Sequence, residues 1–147
     1  MGVLVKAWIL RWGPAILVMI IIFVASAIPG TDLPTLGAWD FSAKKAGHML
    51  GYALLAIAYF HVLNNGRCVT RLQIFSAFVL ACLYAASDEW HQKFTPGRSP
   101  SVRDVCIDGI GAGIGLALWF WMRSRIKHRN SEFRSRNTKS TEKVSAD

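Results

Sequence analysis

The run AILVMIIIFV at residues 15–24 carries no charged or polar side chain. A surface helix of a soluble domain keeps a polar face along its length, so an all-apolar decade has to be solvated by lipid or buried throughout. Extended outward, the block reaches from about residue 7 to residue 28, close to the roughly 20 residues that cross the hydrocarbon layer. Three more apolar blocks follow, at about 46–63, 72–86 and 105–122. The third is short unless Arg71 and Asp88 sit at the two interfaces, giving 71–88, where long side chains can snorkel. The fold expected is an all-α membrane protein, a four-transmembrane-helix bundle occupying residues 1–126.

Charge sets the orientation. Of the 17 Lys and Arg residues, 12 fall on one side of the four spans: Lys6, Arg11, Arg67, Arg71 and the eight of the C-terminal segment from Arg123 to Lys143. The other side holds Lys44, Lys45, Lys93, Arg98 and Arg103 against Asp32, Asp40, Asp88, Glu89, Asp104 and Asp108, and is nearly neutral. The positive-inside rule then puts both termini of this multi-pass protein in the cytoplasm. Residues 127–147 are polar, basic and without hydrophobic period, and are predicted to form a disordered cytoplasmic tail whose partners are membrane lipids. The net charge of +8 is accounted for by topology, so no nucleic-acid partner is predicted. Ala25, Ser26 and Ala27 resemble a signal-peptidase site behind Lys6 and Arg11, but the apolar stretch is long for a signal peptide, and the first helix is expected to be retained. Cys68, Cys82 and Cys106 lack the spacing of a disulfide framework or a zinc-thiolate site and read as small packing residues.

The side opposite the termini concentrates the chemistry. Lys45, His48 and Tyr52 stand at i, i+3 and i+7 on one stripe of the second helix. The third helix runs into Asp88, Glu89, Trp90, His91 and Gln92, followed by Pro96, Gly97 and Arg98. The fourth opens on Asp104 and Asp108, four apart on one face, above the overlapping pairs Gly109/Gly113 and Gly111/Gly115, spacings that allow close helix approach. Carboxylates at membrane depth are expensive unless paired, and normally face a bundle interior or a watered cavity. Four carboxylates, two histidines and an arginine on one rim point to a site. Arg98, with its planar fork, suits a phosphate or carboxylate, and Lys45 adds a point charge. Glu89, His91 and Asp88 are the candidates for proton transfer, and Lys45, His48, Tyr52, Gln92, Arg98, Asp104 and Asp108 for substrate binding. The set contains ligand types compatible with zinc, manganese or magnesium, but its spacing matches no metal motif, and no metal or cofactor is assigned. The alternative reading is a non-catalytic accessory protein whose polar rim is an internal packing network.

The central pattern Asp88, Glu89, x, His91, Gln92, x, Phe94, x, Pro96, Gly97, Arg98, then Asp104 and Asp108, resembles the signature of the VanZ-like family, and Lys45, His48 and Tyr52 match its upstream motif. The position of Asp108 is often Asn in that family. The resemblance covers about residues 10–122. It implies a small bacterial membrane protein, in a family named for a member linked to teicoplanin resistance. It does not settle a biochemical activity; the rim residues themselves point to an outer-face site that binds, and in a stronger form modifies, an anionic envelope substrate such as a lipid-linked precursor, a cell-wall precursor or a phospholipid.

Overall fold

The computed structural model describes residues 2–29, 40–66 and 68–144. Its architecture is an all-α membrane bundle of four helices, α1 (Gly2–Ala27), α2 (Asp40–Asn64), α3 (Arg71–Gln92) and α4 (Val102–Val144). Each contains a segment long and apolar enough to cross a membrane: Val5–Ala27, Lys44–Asn64, Arg71–Gln92 and Val102–Ser131. The protein is thus a multi-pass membrane protein. The chain divides into two compact units, Met1–Leu116 and Ala117–Asp147.

In the first unit α1, α2 and α3 pack against one another. The start of α3 is fixed locally by a capping box: Thr70 Oγ1 accepts the Gln73 N–H at 3.2 Å, and Gln73 Oε1 accepts the Thr70 N–H at 3.0 Å. That arrangement satisfies two of the donors a helix N-terminus leaves open. Asn65 and Gly66 take positive φ angles of 44° and 75° in the turn before it, conformations that Asn and Gly tolerate best. Arg11 holds the same end together, its Nε and Nη2 donating to the Val62 carbonyl at 2.9 and 2.6 Å. Midway along the bundle, Tyr84 donates to the Met19 carbonyl at 2.7 Å, tying α3 to α1.

The buried stripe of α3 is Ala77, Ala81 and Ala85, continued by Asp88, Glu89 and Gln92. One helix face therefore changes from methyl groups, which let neighbours approach, to carboxylates as it nears its C-terminus. The first unit's part of α4 meets α2 at its glycines. A Cβ on Gly111 would stand 2.5 Å from the Met49 carbonyl oxygen, and one on Gly115 would stand 2.7 Å from the Ala53 Cα. The alternate glycines turn to α3, Gly109 toward Cys82 and Gly113 toward Phe78. The two overlapping glycine pairs of the sequence thus serve two neighbours, and backbone approaches backbone only at Gly111 and Gly115. The three cysteines are free, with Cys68 and Cys106 exposed and Cys82 half-buried.

Helix boundaries depart furthest from the apolar blocks in two places. α2 begins at Asp40, ahead of the block expected from residue 46, because hydropathy marks the lipid-embedded part of a helix and not its polar first turns. α4 continues to Val144, through residues 127–144, where a tail without regular structure was predicted. A span that is already nucleated propagates into Arg-, Lys- and Ser-rich sequence without a second nucleation step. In the second unit the guanidinium of Arg123 lies over the Trp119 ring at 5.1 Å, and that of Arg125 over Trp121 at 5.2 Å. Such pairs suit a membrane-interface girdle.

Candidate functional site

The C-terminal ends of α1 and α3 and the N-terminal ends of α2 and α4 lie at one end of the first unit, here called the polar end. All ten residues singled out from the sequence are there, and they fall into three layers.

The first layer joins α2 to α4. Lys45 forms an ion pair with Asp104, each side chain about a quarter exposed, and His48 Nδ1 stands 3.8 Å from Asp108 Oδ2. Asp104, Asp108, Gly111 and Gly115 follow at intervals of four, three and four, so the two polar rungs lead directly into the glycine contact. Tyr52, one turn below His48 with ring centroids 6.4 Å apart, is fully buried. The carboxylates acting on Tyr52 are Asp88 and Asp108.

The second layer joins α3 to α1. Ser26, fully buried, donates from Oγ to Asp88 Oδ2 at 2.7 Å, and Gln92 Nε2 donates to the same oxygen at 3.0 Å. Glu89, also buried, accepts the Ser101 backbone N–H just ahead of α4. His91 lies against Phe23, ring centroids 4.4 Å apart. Three buried atoms of this region have no hydrogen-bond partner among the described residues: Tyr52 Oη, Asp88 Oδ1 and His91 Nδ1. Buried polar atoms are normally satisfied by protein, water or ligand; the Tyr52 hydroxyl and the Asp88 carboxylate are close enough to satisfy one another, which leaves His91 Nδ1 as the atom that calls for a further polar group.

The third layer is Arg98. The chain turns at Gly97, φ 72°, a left-handed conformation glycine adopts without strain. This turn sends Arg98 to the end of α1. Its Nη2 donates to the Ala25 carbonyl at 2.9 Å and the Ile28 carbonyl at 3.3 Å, and Nε to Ile28 at 3.4 Å. A cation on the last carbonyls of a helix satisfies groups that lack an intrahelical partner and complements the dipole.

Beside Arg98 a cleft of about 270 Å³ opens between α1 and α2. Ile21, Ile22 and Ala25 form its α1 wall; Lys44, Gly47, His48 and Gly51 form its α2 wall. The lysine that lines it is Lys44, whereas Lys45 is engaged with Asp104. Sequence reasoning selected Lys45 and passed over Lys44 and Ser26. The one signal for Ser26 was a hydroxyl at the end of an otherwise apolar run. Asp88, Glu89 and His91, the proton-transfer candidates, do not line this cleft, while His48 does. Among the described residues, no group of three or more His, Cys, Asp and Glu is placed to hold a metal ion.

Fold and site together define a small four-span membrane protein that gathers four buried or half-buried carboxylates, Asp88, Glu89, Asp104 and Asp108, at one end of the first unit. Residues 11–123 match the family model described as VanZ/LLP1, and the chain belongs to that family. Neither the curated proteins nor the solved structures provide a match.

Proposed function

We propose that the polar end faces the outside of the bacterial inner membrane, with both termini cytoplasmic, and binds the anionic group of a cell-envelope substrate, which it acts on or presents to a partner. The cleft carries this reading: Lys44, His48 and Arg98 converge on one cavity, and no acidic side chain is among its described lining residues. Arg98 spends Nε and Nη2 on α1 carbonyls, while its Nη1 makes no hydrogen bond to a described residue. A guanidinium held at one edge is a rigid donor for a phosphate or carboxylate. His48 stands between the cleft and Asp108, its Nδ1 3.8 Å from the carboxylate, within ion-pair reach when the imidazole is protonated. A lipid-linked precursor, a cell-wall precursor and a phospholipid headgroup all supply the anion, and a cell-wall precursor would connect the site to glycopeptide tolerance.

A second reading, an internal network that fixes helix packing, is favoured by the Lys45–Asp104 pair and by the Ser26–Asp88–Gln92 cluster. Native mass spectrometry of full-length protein released from bacterial membrane separates the two. The binding reading predicts an anionic lipid or precursor retained by wild type and lost from a still-folded Lys44→Gln. The network reading predicts nothing specific retained by either protein.

A further inference from the structure

We propose that the cleft between α1 and α2 is a lateral docking lane for a phosphate-bearing membrane lipid. Its phosphate is held by Lys44, His48 and Arg98, and its chain lies over Gly47 and Gly51. The proposal rests on the binding reading above and deepens it by naming the substrate class and the direction of approach.

Three observations converge. The cleft opens toward lipid: Ile21, on its α1 wall, is 58% exposed in a segment that crosses the membrane. A group entering there comes from the bilayer and not from bulk water. The charges lie toward the polar end, Lys44 and Arg98 at the rim and His48 beside Gly47, and deeper than His48 the lining is Ile21, Ile22 and Gly51. From Lys44 to Gly51 the helix descends about 10 Å at 1.5 Å per residue, enough to pass from a phosphate to the first methylenes of its chain. A soluble anion has no use for an apolar continuation, whereas a lipid phosphate requires one.

Gly47 supplies the third. A Cβ there meets nothing within 4 Å, in contrast to Gly111 and Gly115, where a neighbouring backbone fills the space. A glycine inside a helix is about 1 kcal/mol less favourable than alanine, and at Gly47 no described neighbour gains closer packing in return. What the missing side chain leaves is the floor of the lane. At Gly51 a Cβ would stand 3.3 Å from Ile22 Cγ1, so the lane narrows toward its deep end.

The test compares full-length wild type with Gly47→Leu, which fills the lane at the level of His48, and with Ile21→Trp, which narrows it from the exposed α1 side away from the charged residues. Delipidated protein in detergent is titrated with phosphatidylglycerol and, separately, with glycerol 3-phosphate, and read by native mass spectrometry and melting temperature. We expect phosphatidylglycerol binding to weaken at least tenfold in both variants, with glycerol 3-phosphate binding and the lipid-free melting temperature unchanged in Ile21→Trp. Should Gly47→Leu fail to fold, Ile21→Trp carries the test alone. Undiminished lipid binding in the folded variants, with binding lost in Lys44→Gln, overturns the lane and leaves the anionic site standing. Wild type that binds glycerol 3-phosphate as tightly as the lipid makes the ligand a soluble phosphate and overturns the lane. Wild type that binds neither overturns the lane and the binding reading together.

Discussion

Ser26 Oγ and Asp88 Oδ2 lie 2.7 Å apart, 62 positions apart in the chain, and both residues are buried. The bond fastens the last turn of α1 to the last turn of α3, and Gln92 completes it from the same face of α3. Removing one partner leaves the others unsatisfied in a low-dielectric interior. Asp88→Ala, which strands both Ser26 and Gln92, should cost about 3 kcal/mol of stability, and Ser26→Ala about 1 kcal/mol. Denaturant titration of the purified protein in detergent measures both. Equal, negligible effects would show that the cluster is not internally paired.

The glycines of α4 give an ordered series. Gly111→Ala and Gly115→Ala drive a methyl into α2 backbone and should destabilise by about 1–3 kcal/mol. Gly113→Ala places its Cβ 3.7 Å from Phe78, an ordinary contact, and should be neutral or stabilise by up to about 1 kcal/mol through helix propensity. Melting temperatures of the three variants check the order, and a destabilised Gly113→Ala beside a tolerated Gly111→Ala would reverse the assignment of helix faces.

Lys45 and Asp104 are each about a quarter exposed, so solvent screens their attraction. A double-mutant cycle of Lys45→Gln and Asp104→Asn should return a coupling of about 1 kcal/mol or less. The charge-reversed pair Lys45→Asp with Asp104→Lys should recover most of the stability lost by either change alone. A reversed pair that loses as much stability as the two single reversals summed would mean that the residues do not meet.

Orientation is testable with the protein's own thiols. Cys68, exposed in the turn between α2 and α3, should resist a membrane-impermeant maleimide in intact spheroplasts and react after lysis. A Ser99→Cys variant with the native cysteines replaced should be labelled in both conditions. The opposite pattern would turn the polar end toward the cytoplasm.

Much of this was legible in the chain, for reasons that differ by residue. Residues 15–24 announce a membrane span because ten consecutive apolar side chains have no soluble equivalent, and the acids at 88, 89, 104 and 108 stand out because lipid makes them expensive. Periodicity also groups Asp104 and Asp108 with Gly111 and Gly115 on one face of α4. It cannot say which neighbour that face meets, and only the packing shows that Gly111 approaches α2 while Gly109 turns to α3. Lys44 and Lys45 are adjacent and chemically identical, so their division between cleft and ion pair depends on the rotation of α2, which local sequence does not encode. Arg98 reads as a free anion binder until α1 is seen to end beneath it. The partner of Asp88 was hidden because Ser26 belongs to a run whose apolar character dominates any local reading.

The most direct test of the central claim, that Arg98 and its neighbours hold an anionic envelope group, is the lipid complement of Arg98→Gln against Gly111→Ala. The two variants are lowered in stability by different routes, one at the cleft and one away from it. Native mass spectrometry after mild extraction should show the anionic species kept by wild type and by Gly111→Ala and lost from Arg98→Gln, with all three proteins still folded. Retention by Arg98→Gln equal to that of wild type would contradict the account.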